Sequence, residues 1–292
     1  MHIIVTGAQG QVGWELTRRA LGLGHTVLAW DQAELDITDA VAVDRALNAS
    51  DADVVINAAA YTAVDKAEQE PEQAFAVNRD GPTHLAAACA RLHIPLLHIS
   101  TDYVYDGTKV NSYAEDDPAT PMGVYGASKL AGDEAVRRLW SRHLILRVSW
   151  VFGVHGHNFV KTILRLARER EELRVVADQR GCPTFAGDIA DTLLELAGRS
   201  AEIDANDAWG TYHYCGEPAT TWHGFASAIV AMAREREPLP VRTVAAITTA
   251  DYPTPAARPA NSVLNCSHLT TKFAIQPRPW REGLRALLSS NH

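Results

Sequence analysis

The sequence predicts an α/β protein: a doubly wound, Rossmann-like parallel sheet followed by a smaller, less regular C-terminal lobe. Three observations predict it. Short apolar runs recur through the first half, each followed by a stretch with helical periodicity. The first run opens into Gly7-Ala8-Gln9-Gly10-Gln11-Val12-Gly13, a glycine-rich turn leading into a helix. The second run ends at Asp31, 21 residues after Gly10, where such folds place a carboxylate for an adenosine ribose.

Taken in order, His2 to Thr6 reads as a buried strand. The helix after it carries Val12, Leu16, Ala20 and Leu23 on one face. Glycines in the turn allow backbone to approach a pyrophosphate, and the helix N-terminus offers free amides. Thr26 to Trp30 is the second strand. A carboxylate at Asp31 repels a 2′-phosphate, which tilts the cofactor toward NADH over NADPH, unless Asp31 is only a turn residue. Asp36-Ile37-Thr38-Asp39 reads as a turn and helix cap, with Asp36 and Ile37 near an adenine, and Val41 to Asn48 as the capped helix. Asp53 to Asn57 is apolar enough for a strand covered on both faces. Ala58-Ala59-Ala60 then either leaves room for a cofactor or begins a helix. Glu72 to Leu92 is helical with Asn78 as an interruption. Ile94 to Ile99 is the fourth strand, with Ser100-Thr101-Asp102 at its C-terminal end, where open α/β sheets put their chemistry. Tyr103 to Val124, with Gly107, Pro118, Pro121 and Gly123, is a covering loop. Leu144 to Val148 is the fifth strand.

After Trp150 the pattern changes. This divides the chain into a dinucleotide-binding part over 1–150 and a substrate lobe over 151–292, part of which, around 173–200, could pack back on the first. Asn158 to Arg170, Asp188 to Ala197 and Trp280 to Leu288 are helices there, and Leu173 to Ala177 a strand. Prolines make Tyr252 to Pro259 a loop that presents Arg258, the candidate for a diphosphate.

The chemistry concentrates at Tyr125-Gly126-Ala127-Ser128-Lys129. In a helix, Lys129 stands one turn beyond Tyr125 on the same face. An ammonium beside a phenol favours the phenolate, so Tyr125 is expected to exchange its proton closer to neutral pH. Thr101 could share the oxygen of a bound carbonyl. Such a group adds or removes a proton while a hydride moves at the adjacent carbon.

Composition bounds the rest. A chain of 292 residues, 47% hydrophobic and 21% charged, can bury a sizeable core. Its net charge of −8 argues against nucleic acid as a partner. The widely spaced Cys89, Cys182, Cys215 and Cys266 suggest reduced thiols in a cytoplasmic protein. No run is apolar enough for a membrane span, and no basic leader precedes Ile3. His155-Gly156-His157 and His213-Tyr214-Cys215 lack completing partners, so no metal site is expected.

The glycine turn, Asp31, Ser100-Thr101-Asp102 and Tyr125…Lys129 together resemble the extended short-chain dehydrogenase/reductases. More narrowly, Gly10-Gln11-Val12-Gly13-Trp14-Glu15-Leu16, Asn57 to Asp65, Ser100 to Val104, Arg147 to Val151, Asp178-Gln179 with Pro183-Thr184, and Arg258 to Ser262 resemble the dTDP-4-dehydrorhamnose reductases. The resemblance implies reduction of a nucleotide-sugar 4-ketone, from dTDP-4-dehydro-L-rhamnose to dTDP-L-rhamnose, by NADPH or NADH. It implies Tyr125 as general acid, Lys129 at the nicotinamide ribose, Thr101 polarising the carbonyl, and Asp102 and Trp150 against the sugar. For the cofactor it implies Gly10, Gln11, Val12, Asp31, Asp36, Ile37, Ala60, Tyr61, Thr62 and Ile99; Gly7 of the glycine turn, Tyr125 and Lys129 complete the expected cofactor set. Related dehydratases carry a glutamate after the Thr-Asp pair, where Tyr103 stands here. Another nucleotide-sugar epimerase or reductase of the same family, or a catalytically silent regulatory relative, are the alternatives. A homodimer is left open. Some relatives bridge one by metal through a glutamate equivalent to Glu15, but Ser289-Ser290-Asn291-His292 brings no carboxylate side chain to complete it.

Overall fold

A computed structural model describes residues 1–205 and 207–290. Asn291 and His292 lie outside the described residues. The main sheet holds β1 (His2–Thr6), β2 (Thr26–Trp30), β3 (Val54–Asn57), β4 (Leu96–Thr101), β5 (His143–Val148) and β6 (Gly210–Tyr214). All pair in parallel, in the order β6-β5-β4-β3-β1-β2. Both faces are covered, and alternate residues of one strand enter opposite layers. Ile4, Val55, Leu96 and Ile145 pack with Val43 and Leu47 of α2 (Ala40–Asn48) and with Leu85, Cys89 and Val136 of the helices α3 (Gly81–Leu92) and α4 (Val124–Leu139). Ile3, Val5, Leu97 and Leu146 pack on the other side, against Leu16 of α1 (Gln11–Gly22) and Ile189 and Leu193 of Ala186–Gly198.

Three local differences from the sequence reading have physical causes. The main sheet gains β6, a strand from beyond residue 150. Its Tyr212, His213 and Tyr214 are buried, and what makes it a strand of this sheet is its pairing with β5, more than 60 residues earlier in the chain. Leu23 leaves the apolar face of α1 because the helix ends at Gly22, and it is 66% exposed. The Glu72–Leu92 segment is not one helix: Pro71–Phe75 and α3 flank a π-helical turn at Ala76–Asp80. A π-turn inserts an extra residue and turns side chains out of register. Here the residue it re-aims is Asn78, which is fully buried.

Ala58-Ala59-Ala60 begins no helix, since the next helix starts at Val64. The lobe beyond β5 has its own core, where Phe152, Ile163, Leu164, Phe225, Ile229 and Leu284 meet. Its two longer strands, Glu172–Val176 and Thr243–Ile247, pair in parallel.

Candidate active site

The strand order reverses between β1 and β3, and the loops leaving the C-terminal ends of β1, β3, β4 and β5 meet there. The first is the glycine turn. Gly7 has a φ of +68°, and a Cβ on it would lie 2.5 Å from the Ala59 backbone. Gly13 sits so close that a Cβ would lie 2.1 Å from the Gly7 carbonyl oxygen. These contacts hold the turn against the Ala58–Ala60 segment. No side chain caps α1 at Gly10, which leaves the first amides of the helix free for an anion. The cradle and the open helix end fit a dinucleotide pyrophosphate. A loop of the second lobe closes on it: Asn158 donates to Gln11 Oε1 at 3.0 Å, His155 bonds the Gln9 carbonyl, and its ring stacks on Trp14 at 5.3 Å. No spacing signal links His155 or Asn158 to Gln9–Trp14, so the sequence does not reveal this contact.

Asp31 follows β2, partly exposed, and its amide donates to Glu34 Oε2 at 2.9 Å. Glu34 therefore puts a second carboxylate beside Asp31, another residue the sequence reading missed. Asp36 is taken by the amide and hydroxyl of Thr38. Ile37 turns its side chain into the core against Gly81, leaving only its backbone on the cofactor side.

After β3, Tyr61 is held from both sides by Asn78: its amide donates to Asn78 Oδ1 at 2.8 Å, and Asn78 Nδ2 donates to its carbonyl at 3.0 Å. The same Nδ2 reaches Ser128 Oγ at 3.0 Å. One buried amide thus ties the Ala60-Tyr61-Thr62 segment to the helix of Tyr125 and Lys129. Sequence reasoning saw Asn78 only as an interruption.

Tyr125 and Lys129 sit one turn apart in α4. Glu68 caps this helix from a distant segment, accepting from the Val124 amide at 2.9 Å. A Cβ at Gly126 would lie 2.1 Å from the Tyr103 carbonyl oxygen, so glycine lets α4 press against the turn after β4. The Tyr103 and Tyr125 rings meet edge to face at 5.4 Å. Thr101, nearly buried, bonds Asp102 Oδ1 at 3.1 Å and faces the Tyr125 hydroxyl.

Here the electrostatics depart from the sequence expectation. Burial, with Asp102 and Asp133 nearby, pushes the Tyr125 phenol up to about 12, although the Thr101 hydroxyl pulls it down. The Lys129 ammonium, one turn further along α4, donates to the Ile99 carbonyl at 2.7 Å. Burial holds that ammonium down to about 8, with Asp133 raising it. Burial also raises Asp102 to about 7, although hydrogen bonds from Ser262 and Thr101 oppose it, and its Oδ2 has no partner. A phenol that keeps its proton at neutral pH is the form a general acid needs.

Trp150 follows β5 with a φ of +45°, uncommon for a side-chain-bearing residue. Its indole lies between Trp222, stacked at 3.6 Å, and Gly181, where a Cβ would meet the ring at 2.3 Å. Arg258 bonds Asp65 Oδ2 at 2.9 Å, so its charge is partly spent within the protein. The Arg258–Ser262 strand-like stretch is strapped down by backbone bonds from Arg180 to Ala260 and from Ser262 to Arg180. Thr101, Asp102 and Tyr125 thus lie together, with Lys129 one turn further along α4, and the loop at Ala256, Ala257 and Pro259 borders the cavity beside Tyr103 and Tyr125.

A parallel doubly wound sheet, a glycine turn at its switch point and a Tyr-x-x-x-Lys helix beside a strand-end threonine define a short-chain dehydrogenase/reductase, a nicotinamide-dependent oxidoreductase. The family model described as RmlD substrate binding domain matches residues 1–292. The chain is 46% identical over 286 residues to the dTDP-4-dehydrorhamnose reductase of Aggregatibacter actinomycetemcomitans, covering 97% of each. It is 47% identical over 287 residues to that of Burkholderia thailandensis, covering 96% of each. A solved dTDP-4-dehydrorhamnose reductase from Bacillus anthracis, in complex with NADP, superimposes with a TM-score of 0.92 at 34% identity and 99% coverage of both chains. The chain belongs to the dTDP-4-dehydrorhamnose reductase family.

Proposed function

We propose that this chain reduces the 4-keto group of dTDP-4-dehydro-L-rhamnose to dTDP-L-rhamnose, with NADPH or NADH as reductant. The observation that carries the reading is the meeting of Thr101 and a protonated Tyr125, one turn along α4 from Lys129. The nicotinamide, when bound, supplies the hydride.

The chain's own residues do the rest. Gly7, Gly10, Gln11 and Val12 receive the pyrophosphate, Asp31, Asp36 and Ile37 the adenosine end, and Ala60, Tyr61, Thr62 and Ile99 the remainder of the dinucleotide. Lys129 keeps its free N–H groups toward the nicotinamide ribose. Thr101 turns its single proton from Asp102 to the sugar's C4 oxygen. Tyr125 gives its proton to that oxygen as negative charge builds on it, and proton transfer from phenol to an alkoxide runs downhill. Asp102 and Trp150 hold the sugar, and Arg258 meets the diphosphate.

In this reading residues 1–150 carry the dinucleotide, and 151–292 supply most of the substrate lobe. The six-stranded sheet is shared, since β6 joins it. Four unpaired buried thiols support a cytoplasmic location. One chain supplies Thr101, Tyr125 and Lys129, so a homodimer would hold two whole sites, and light scattering of the full chain reads its presence. The test is to supply dTDP-4-dehydro-L-rhamnose with each reduced nicotinamide and follow cofactor oxidation together with the sugar product. Oxidation without dTDP-L-rhamnose would sink the reading.

A further inference from the structure

A continuous buried polar chain runs behind Lys129, away from the cleft, and the reaction described above does not use it. It starts at Thr6, whose hydroxyl donates to Asn57 Oδ1 at 2.7 Å. The Ala59 amide donates to the same oxygen at 3.0 Å. With its oxygen taken by two donors, Asn57 must turn its Nδ2 amide to His98 Nδ1, 2.9 Å away. His98 Nδ1 is therefore an acceptor, and the ring's one proton sits on Nε2.

That proton points at two groups of α4. Lys129 Nζ lies 3.4 Å from His98 Nε2, and Asp133 Oδ1 lies 3.8 Å from it. Asp133 is one turn beyond Lys129. Its Oδ2 takes Arg147 Nε at 3.2 Å, while Oδ1 has no other partner. A protonated Nε2 can donate toward this carboxylate and cannot accept from an ammonium. Lys129 is thus denied a hydrogen bond on the inner side and keeps its remaining N–H groups for the cleft. The imidazole also stays neutral: burial, then Lys129 and His143, hold it well below its ordinary value.

We propose that His98, locked as the Nε2–H tautomer by the Thr6–Asn57 pair and set against Asp133, is the positioning residue that directs the Lys129 ammonium into the cofactor cleft. This rests on the reductase reading for Lys129. The alternative tautomer would accept from Lys129 and draw it inward. The charged and titratable groups around His98 and Lys129 are Asp133 and Tyr125 from α4, His143 from β5 beside His98, and Arg147 from β5, bonded to Asp133. Of these, Asp133 is the anion that supports the ammonium.

Two measurements test it. Nitrogen-15 NMR of the histidine-labelled, cofactor-free full chain reads the tautomer without turnover. It is expected to place the proton on Nε2 of His98, unchanged between about pH 6 and 9. A proton on Nδ1, or titration in that range, overturns the proposal. Steady-state kinetics then separate His98→Gln, which keeps an N–H donor at the far end of the side chain, from His98→Asn, which keeps only the near acceptor. The expected loss in kcat is about 5- to 100-fold for Asn, the effect of stranding a buried acceptor, with most of it regained in Gln. Equal losses in the two variants, or none in either, overturn it. The NMR result needs no activity, so it separates failure of this inference from failure of the reductase reading.

Discussion

The Asp65 carboxylate accepts a hydrogen bond from the Arg258 guanidinium at 2.9 Å, joining segments 193 residues apart. The other oxygen of Asp65 takes the Ala256 amide at 3.1 Å. One carboxylate thus pins both the arginine and the loop that presents it beside the Tyr103–Tyr125 cleft. Both side chains are partly exposed, so the pair adds little to stability, at most about 1 kcal/mol. Its value lies in placement. Asp65→Asn is expected to raise KM for the nucleotide sugar by about 2- to 5-fold, with melting temperature nearly unchanged. An unaltered KM would remove Arg258 from the diphosphate site.

Tyr125→Phe keeps the edge-to-face ring contact with Tyr103 and deletes the proton donor. Turnover is expected to fall by about 10²- to 10⁴-fold, with dinucleotide affinity by fluorescence nearly unchanged. Comparable turnover in the two proteins would discard Tyr125 as the acid.

Asp102 makes a prediction about pH. Burial raises its carboxyl from 3.8 to about 7. Between those values the folded protein holds a proton that the unfolded chain has released. Stability from this residue therefore falls as pH rises from about 4 to about 7, and is flat above. The cost at pH 8 is on the order of 4 kcal/mol. Asp102→Asn is expected to melt higher than wild type at pH 8 and to show a shallower fall between pH 4 and 7. A wild-type slope in the variant would contradict the buried-acid assignment.

Gly181→Ala would drive a methyl into the Trp150 indole, which is already stacked on Trp222. Aromatic pairs of this kind contribute about 0.5–1.5 kcal/mol beyond burial. Displacing the ring is expected to raise KM for the sugar nucleotide about 2- to 10-fold, with cofactor KM unchanged. If cofactor KM rises instead, Trp150 faces the wrong ligand.

Asp31, which the proposed function places at the adenosine end of the cofactor, has the Glu34 carboxylate bonded to its amide. Asp31→Ala is expected to raise the NADPH/NADH ratio of kcat/KM by about fivefold, the order of one exposed charge interaction. A constant ratio would show that the 2′-position is read elsewhere.

What the sequence determined by itself is the set of parts that act locally. The glycine turn, the strand-end Asp31 and Thr101, and the one-turn spacing of Tyr125 and Lys129 follow from backbone geometry and periodicity, which neighbours in the chain impose. Resemblance added roles for residues such as Trp150 and Ile99. Only the tertiary structure decided how these parts are charged and held. The proton affinity of Tyr125 runs opposite to the expectation drawn from its lysine, because burial, with Asp102 and Asp133 nearby, raises the phenol. Asn78, Glu68, His155 and His98 enter the site from distant segments, and β6 completes a sheet that began over 200 residues earlier. Desolvation and long-range hydrogen bonds depend on what surrounds a group in space, and the order of residues does not encode that within any short window.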